Sequence, residues 1–408
     1  MKSVDDHLAA CLAAVRPLPP VPTALLDALG LVLAEQVTSP VDLPAFANSS
    51  MDGYAVRVAD VAAAGPGGPV ALPVGADLAA GVARVAALQA GTADRIMTGA
   101  PVPPGADAVV PVEWTDAGTA RVTVHRAPRP GQYVRLPGED VRAGQVLLDA
   151  GTRLNPRHLA LLAAVGRATV TARPRPRVVV LSTGSELTAP GEPLAPGRIH
   201  DANGYGLVAA ARSLGSPARH GGIVADRPEE VLAALLAATA DADVVVTSGG
   251  VSAGAYDTVK EVLRDLGTVD FEKVAMQPGM PQGFGTLGER GVPIFTLPGN
   301  PVSSMVSFEV FVRPVLAALA GLGAQAAPVL DAVAGRAWTS PAGKRQFVRA
   351  RVDRRDGVLV VTPVGGQGSH LVADLAHATC LAVIPEDVTE VAEGDPVHCL
   401  PLEWGAAS

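Results

Sequence analysis

Three strongly apolar runs lie in the middle of the chain, and small or polar residues follow each of them. The runs are Val178 to Leu181, Val244 to Val246 and Ile294 to Leu297. Such runs are typical of parallel strands that are covered on both faces. In an open α/β sheet, ligands bind beyond the carboxyl ends of the strands. The three following loops are therefore predicted to converge on one crevice.

The loop after the second run is rich in glycine. Gly249 and Gly250 follow the run closely, Gly254 comes soon after, and a helix is predicted to start near Asp257. Glycine lets the backbone turn so that its amide groups point inward. Those amides and the positive end of the following helix favour an anion. The pattern predicts a phosphate site that needs no charged side chain.

The outer segments follow other periods. Helices are predicted from Ser3 to Val15, with Ser3 as the cap, after Pro22, and from Asn155 to Val165. Short strands separated by glycine and proline fill residues 46–138. Strands return after the α/β part and predict a small barrel or sandwich at the C-terminus.

Two helix starts inside the α/β part carry readable signals. Asp226 and Glu229 form the pattern of a capping box, and Asn300 followed by Pro301 predicts a cap and a first helical residue. Capping is thus a competing explanation for any polar residue at these positions.

Composition limits the classes of function. A chain of 408 residues predicts two to four domains, and a hydrophobic content of 48% allows large cores. Aromatic residues are only 3% and the net charge is -8, so nucleic-acid binding and binding to a membrane surface are not expected. Acidic residues near the N-terminus argue against a signal peptide, and glycines interrupt the apolar stretch from Pro314 to Leu330. We expect no membrane span and a cytoplasmic location.

The chain has three cysteines, Cys11, Cys380 and Cys399. They show neither the paired spacing of a metal site nor the density of a disulfide framework. They are predicted to be core or surface thiols.

Seven motifs resemble one known family in the same order along the chain. They are SMDGYAVR (50–57), DRIMTGAPVPPGADAVVPVE (94–113), GEDV (138–141), STGSEL (182–187), TSGGVSAGAYD (247–257), LPGNPVSS (297–304) and GQGSH (366–370). Together they cover almost the whole chain. They resemble the molybdopterin molybdenumtransferase family, which includes the C-terminal domain of gephyrin.

The resemblance implies a multidomain fold of the α/β plus β class. It places a helical linker domain at 1–45 and 139–172, an inserted β-rich domain at 46–138, an α/β molybdopterin-binding domain at 173–324 and a barrel-like β domain at 325–408. It further implies an elongated homodimer whose active sites form across the subunit interface.

The reaction that the resemblance implies is molybdenum insertion. The substrates would be adenylylated molybdopterin and molybdate, the products the molybdenum cofactor and AMP, and the cation Mg²⁺. Mg²⁺ prefers a few carboxylates together with water and phosphate oxygens. The resemblance also predicts transient contact with a molybdopterin adenylyltransferase or with acceptor molybdoenzymes.

Five carboxylates lie in motifs that the family assigns to this site: Asp52, Asp140, Glu186, Asp226 and Asp257. Glu186, Asp226 and Asp257 are the predicted Mg²⁺ ligands. Each aspartate also has an ordinary explanation, as a helix cap or as a turn residue. Glu186 has no such explanation in its glycine-rich loop, and it is the strongest candidate.

The predicted substrate-binding residues are small and polar. On the family match they are Thr98, Thr183, Gly184, Gly249, Gly250, Ser252, Pro298, Gly299, Asn300, Pro301, Arg349 and Ser369. Arg349 and Ser369 match family positions near the molybdate oxyanion, where a guanidinium suits oxygen ligands. Plain turn formation explains the glycines equally well. His370 is interpreted as a turn or packing residue.

One motif departs from the family. Many members have lysines where this chain has Gln277 and Met280. Compensating positive charge would have to come from Lys273, Lys344, Arg345 or Arg349.

Two other functions compete with insertion. A molybdopterin adenylyltransferase or nucleotide hydrolase would need only the α/β domain. A noncatalytic scaffold of the gephyrin kind would need a partner groove, and the retained carboxylates argue against it.

Overall fold

The computed structural model describes residues 1–82, 84–251, 258–323 and 329–402. It contains two compact units, Met1–Val21 with Ala172–Ser408, and Pro22–Thr171, which we call the main unit and the inserted unit. Helix α1 (Val4–Ala13) starts the main unit. The Asp6 amide donates to Ser3 Oγ at 3.0 Å, so the predicted cap is confirmed.

The inserted unit is built mainly from short strands. Its elements are β1 (Val21–Ala24), a 3₁₀ turn (Leu26–Ala28), β2 (Val32–Leu33), β3 (Val37–Thr38), β4 (Asn48–Ser49), β5 (Gly53–Val56), α2 (Val58–Val61), β6 (Val70–Leu78), β7 (Ala93–Ile96), β8 (Ala108–Pro111), a 3₁₀ turn (Val112–Trp114), β9 (Arg121–Val124), β10 (Val134–Arg135), β11 (Val146–Leu148), α3 (Pro156–Ala164) and β12 (Thr169–Arg173). A five-stranded sheet of order β8-β5-β7-β6-β9 carries its core around Tyr54, Val110 and Val122. The predicted β-rich insertion is confirmed.

The helix predicted after Pro22 is wrong. Strand β1 and a 3₁₀ turn occupy that segment, and β1 joins a sheet of order β1-β12-β2. Pairing with a strand about 150 residues away in sequence overrides the local helical pattern. Short strands therefore share the predicted linker segments with helices α1 and α3. The helix predicted from Asn155 to Val165 is confirmed as α3, and the Asn155 side chain caps it.

The α/β domain alternates strands and helices. Its elements are β13 (Val178–Thr183), β14 (Leu187–Thr188), β15 (Ile199–His200), α4 (Asn203–Ser213), β16 (Ala218–Val224), α5 (Pro228–Thr239), β17 (Val244–Ser248), α6 (Thr258–Leu266), β18 (Val269–Lys273), β19 (Met276–Gln277), β20 (Pro281–Leu287), β21 (Val292–Leu297), α7 (Pro301–Ser307), a π-helical turn (Phe308–Val312) and α8 (Arg313–Leu319). The sheet order is β16-β13-β17-β21-β20-β18.

The three predicted strands are adjacent and parallel. Val178 of β13 pairs with Val244 of β17, and Ser248 of β17 pairs with Leu297 of β21. Every residue of the three strands is buried. Alternate side chains enter two separate cores, as Val246 and Val245 do, because helices cover both faces of the sheet. The loops that follow the strands emerge at the same edge.

The helix Pro301–Leu319 is the one helix among the described residues that could cross a membrane by length and composition. However, 78% of its most apolar window is buried inside the protein. Phe308 and Phe311 of this helix are fully buried in the main-unit core. It therefore serves as a core helix of the fold.

The C-terminal segment forms a closed barrel. Its elements are β22 (Leu330–Ala334), β23 (Trp338–Thr339), β24 (Arg345–Arg355), β25 (Val358–Pro363), α9 (Val372–Ala376), β26 (Cys380–Ile384), β27 (Glu390–Val391) and β28 (Pro396–Pro401). Strands β24, β25, β22, β28 and β26 pair in that order, and β26 pairs back with β24. Strand β19 of the α/β domain also pairs with β24. All three cysteines are free and buried, as core thiols should be.

Candidate functional site

A cavity of about 960 Å³ lies beyond the carboxyl ends of β13, β17 and β21. We call it the large cavity. Its wall contains ten of the predicted binding or metal-ligating residues: Thr183, Gly184, Glu186, Asp226, Gly249, Gly250, Pro298, Gly299, Asn300 and Pro301. The structure thus brings the three predicted loops together at one crevice.

The glycine turn after β17 requires glycine at two positions. Gly249 and Gly250 have φ angles of +97° and +83°. A Cβ on Gly249 would lie 2.7 Å from the Thr183 oxygen, and one on Gly250 would lie 2.4 Å from Val259 Cβ. The Gly249 amide donates to the Leu297 oxygen at 3.0 Å. This amide joins two loops of the site and is not free for an anion.

Asn203 holds the same two loops together from the opposite side. Its Nδ2 donates to Ser248 Oγ at 2.7 Å and to the Gly299 oxygen at 2.6 Å. Sequence reasoning missed this residue, because its partners are 45 and 96 residues away. Asn300 stands at the cap position of α7 as predicted, but its side chain makes no capping hydrogen bond.

Two of the predicted carboxylates line the large cavity. The Glu186 carboxylate folds back over Gly184, where an added Cβ would lie 2.6 Å from both of its oxygens. No hydrogen bond or ion pair holds this carboxylate within the described ranges. Asp226 Oδ2 accepts from the Ser185 amide at 2.8 Å.

The predicted capping box at Asp226 and Glu229 is wrong. Helix α5 begins at Pro228 with Arg227 as its cap residue, and no side chain caps it. The Asp226 carboxylate instead accepts from the Ser185 amide in the loop after β13, and it does not cap its own helix. Asp226 is therefore not a helix cap, but it does line the large cavity.

Basic side chains also line the large cavity. They are Lys260, Arg264 and Lys273. Lys260 Nζ lies 5.7 Å from the centre of the Phe271 ring. The same wall also carries the carboxylates of Glu186, Asp201, Asp226 and Glu272, so both signs of charge meet in this cavity.

A buried network supports the floor of the cavity. His220 Nε2 lies 2.9 Å from Asp201 Oδ2 and 3.2 Å from Ser182 Oγ, and the Gly204 amide donates to Asp201 Oδ1 at 2.9 Å. Burial raises the pKa of Asp201, but the hydrogen bonds from His220, Ser182 and Gly204 outweigh it, and the pKa is lowered overall. No sequence motif pointed to His220.

A second cavity, of about 100 Å³, lies between the α/β domain and the barrel. We call it the small cavity. It is lined by Gln277, Pro278, Val302, Arg336, Trp338, Gln346, Phe347, Val348, Arg349, Pro363, Val364, Gly365, Gly366 and Gln367. Arg349 is thus brought to this cavity and not to the large one.

Arg349 holds the GQGSH loop. Its guanidinium donates to the Gly368 oxygen at 2.9 Å and to the Gly366 oxygen. Burial lowers the pKa of Arg349, and the nearby Asp374 carboxylate partly offsets that effect. Ser369 connects the same loop to α7, because its carbonyl accepts from the Val302 amide at 3.0 Å. His370 follows in a turn and lines the large cavity.

The loop that bears Gln277 and Met280 contributes to both cavities. Met280 lines the large cavity, whereas Gln277 lines the small one. Gln282 fixes the loop, since its Nε2 donates to the Gly279 oxygen and to Ser307 Oγ, each at 2.6 Å. The two replaced positions therefore serve different cavities.

The other cations named from sequence have different environments. Lys273 lines the large cavity. Arg345 pairs with Asp5 at 2.7 Å and with Glu386 at 3.1 Å, so its charge is already balanced. Lys344 lines neither cavity within the described part of the chain.

The remaining predicted residues belong to the inserted unit or lie outside the described ranges. Asp52 Oδ1 accepts from the Thr98 amide at 2.7 Å and from Thr98 Oγ1 at 2.8 Å, and these bonds lower its pKa. The structure thus brings Asp52 and Thr98 together. Asp140 lies in a turn where its amide donates to the Leu43 oxygen at 2.9 Å. Ser252 and Asp257 lie outside the described residues.

Comparison with known families covers nearly the whole chain. Residues 2–166 match the MoeA N-terminal region (domain I and II), 179–318 match the probable molybdopterin binding domain, and 331–402 match the MoeA C-terminal region (domain IV). Molybdopterin molybdenumtransferase 2 of Mycobacterium tuberculosis H37Rv is 48% identical over 98% of this chain and 100% of that protein. The chain belongs to the molybdopterin molybdenumtransferase family.

More distant relatives agree. Proteins named molybdopterin molybdenumtransferase from Nostoc sp. and Bacillus subtilis are 39% and 36% identical over 93% and 92% of this chain, and over 88% of each relative. A crystal structure of a molybdopterin biosynthesis MoeA protein from Pyrococcus horikoshii matches with a TM-score of 0.83 and 32% identity, over 99% of both chains. The predicted family, fold class and transferase class are confirmed.

Proposed function

We propose that this transferase inserts molybdate into adenylylated molybdopterin and releases AMP. The observation that carries the proposal is the large cavity at the carboxyl ends of three parallel strands. The segment that forms its strands and loops is the one matched to the probable molybdopterin binding domain. The three basic side chains in its wall suit a substrate with phosphate groups, and its carboxylates suit a divalent cation bound with that substrate.

The large cavity would hold the adenylylated pterin. Lys260, Arg264 and Lys273 would contact anionic oxygens, while the loops after β17 and β21 form the wall that Asn203 holds in place. The network of Asp201 and His220 keeps the start of α4, and with it Asn203, in position. These residues bind and orient the substrate before any bond is broken.

The described donor set fits a magnesium ion that retains most of its water. The described residues contain no cluster of three metal-ligating side chains. Glu186 and Asp226 do line one cavity, the first without a described partner and the second with Oδ1 free of any described bond. Mg²⁺ commonly binds one or two carboxylates plus substrate phosphates. When bound, it would neutralise charge that develops on the anhydride, and Glu186 and Asp226 would hold it, with Asp257 as the third predicted ligand.

The small cavity would take molybdate. Arg349 lies in its wall with Gln277, and Gly366 and Gln367 of the GQGSH loop complete that side. Arg349 fixes this loop through two carbonyl oxygens, so its remaining N–H groups can face the cavity. Ser369 would act by anchoring the loop to α7.

The barrel distinguishes this function from that of an adenylyltransferase or a nucleotide hydrolase. Either alternative would use the α/β domain alone, whereas here the barrel supplies most of the small-cavity wall. A scaffold function would not need the two adjoining cavities. We further propose a homodimer, since homo-oligomers usually close as two-fold dimers, and a cytoplasmic location.

Product analysis tests the proposal. The purified chain is incubated with adenylylated molybdopterin and Mg²⁺, with and without molybdate, and AMP and the molybdenum cofactor are measured. AMP and cofactor that form only with molybdate support insertion. AMP release without molybdate would indicate a hydrolase, and ATP-dependent adenylylation of free molybdopterin, with release of pyrophosphate, would indicate an adenylyltransferase.

A further inference from the structure

The small cavity has a second guanidinium that no sequence motif identified. Arg336 lies on the barrel between β22 and β23 and lines the cavity together with Arg349. Its Nη2 donates to the Pro363 oxygen at 2.9 Å. Within the described ranges, no carboxylate forms an ion pair with Arg336 or Arg349. Two positive charges therefore face one small space.

Two buried polar groups in the same wall lack partners. Trp338 Nε1 and Gln346 Oε1 are buried, and neither has a hydrogen-bond partner among the described residues. Gln346 is only 3% exposed. An indole N–H can only donate, and the two ends of an amide can exchange places by rotation. Buried polar groups without partners are costly, so both groups call for a ligand in the cavity.

The dimensions suit a small anion with several oxygens. A cavity needs about 10–15 Å³ to hold one water molecule, and the small cavity has a volume of about 100 Å³. The two guanidinium groups and the indole N–H can donate hydrogen bonds to oxygen atoms, and they cannot accept hydrogen bonds. These three donors, two of them positively charged, fit a tetrahedral oxyanion.

We infer that Arg336 and the Trp338 N–H bind the oxyanion directly, and that Arg336 supplies the positive charge that Gln277 lacks. Gln277 contributes an uncharged amide to the wall of this cavity. Arg336 reaches the cavity from the segment between β22 and β23, and Gln277 reaches it from β19. Arg336 thus adds positive charge to a cavity in which Gln277 is uncharged. The inference rests on the proposed use of the small cavity for molybdate.

Titration of the full-length chain with molybdate tests the inference. Affinity is measured by calorimetry, and the molybdate concentration for half-maximal insertion is measured separately. Arg336→Met is expected to weaken molybdate about tenfold, the effect of losing one charge near a protein surface. Arg336→Lys should keep most of the affinity. Trp338→Phe, which keeps a ring and removes the donor, should weaken binding by about fivefold.

Two further variants separate binding from general damage. Arg355→Met removes the same charge from an exposed position of the barrel that lines neither described cavity, and it should leave molybdate affinity unchanged. Gln277→Lys in the Arg336→Met background should restore affinity, because it returns a charge to the wall of the same cavity. A rescue of this kind cannot come from repair of the fold.

The outcomes are distinct. If insertion depends on molybdate but Arg336→Met behaves like Arg355→Met, the inference is overturned and the proposed function stands. If the unmodified chain forms no cofactor and releases no AMP with molybdate, the proposed function fails and the inference falls with it. Weakened molybdate binding with unchanged affinity for the adenylylated pterin supports the assignment of Arg336.

Discussion

Replacing Asn203 by alanine is expected to loosen the large cavity and to destabilise the main unit. The change removes two hydrogen bonds, to Ser248 Oγ and to the Gly299 oxygen. Each is worth about 1 kcal/mol. Ser248 is only 4% exposed, so water cannot readily replace its partner. Alanine gains up to about 0.5 kcal/mol at the start of α4. The net loss in unfolding free energy is about 1.5 kcal/mol.

Asn300→Ala provides the matched control. Asn300 lines the same cavity, but its side chain caps nothing, so the variant loses no such bond. Chemical denaturation of the full-length chain, followed by circular dichroism, compares the two variants. Asn203→Ala should unfold at lower denaturant concentration, whereas Asn300→Ala should unfold with the parent. Both should weaken binding of the adenylylated pterin. Equal midpoints for the two variants would refute the bridging role of Asn203.

Three further predictions concern charge. Glu186→Gln should raise the Mg²⁺ concentration needed for half-maximal AMP release at least about tenfold, whereas the exposed Glu289→Gln should leave it unchanged. If the two variants need the same Mg²⁺ concentration, Glu186 does not bind the metal. Because the folded-state pKa of Asp201 is lowered, its stabilisation is present above the unfolded pKa of about 3.9 and is lost as pH falls through the folded value. Asp201→Asn should therefore destabilise the chain at neutral pH and make its denaturation midpoint less dependent on pH in the acid range. The exposed Asp265→Asn should do neither. If the midpoint of Asp201→Asn falls with acid as steeply as that of the parent, this prediction is wrong. Met280→Lys should lower the molybdate concentration for half-maximal insertion less than Gln277→Lys does, because Met280 lines the large cavity and Gln277 lines the small one. The reverse order would show that a lysine at position 280 reaches the oxyanion from the other side of the loop.

Sequence pattern predicted the parts of the fold that depend on periodicity. The buried strands β13, β17 and β21 form continuous apolar runs, and glycines at positive φ mark the turn after β17. The cap of α1 at Ser3 is equally local. These features were predictable because each depends on a few adjacent residues.

The contacts that assemble the site were not predictable in this way. Asn203 reaches Gly299 across 96 residues, and Asp226 reaches the Ser185 amide across 41. The local sequence predicted a capping box at Asp226, but the Asp226 carboxylate binds the Ser185 amide instead. Likewise, the division of Gln277 and Met280 between two cavities depends on how the barrel packs against the α/β domain.

The pairing of β19 with β24 has a consequence for modularity. Residues Met276–Gln277 are a strand of the barrel sheet, and Pro281–Leu287 are a strand of the α/β sheet. An α/β domain cut free of the barrel would keep the strand ends that form the large cavity but would leave β19 without a partner. Under the proposed function, the oxyanion would thus bind at the junction of the two domains, and the pterin would bind to the α/β domain. A chimera that exchanges barrels between relatives should carry its oxyanion selectivity with the barrel and its pterin affinity with the α/β domain.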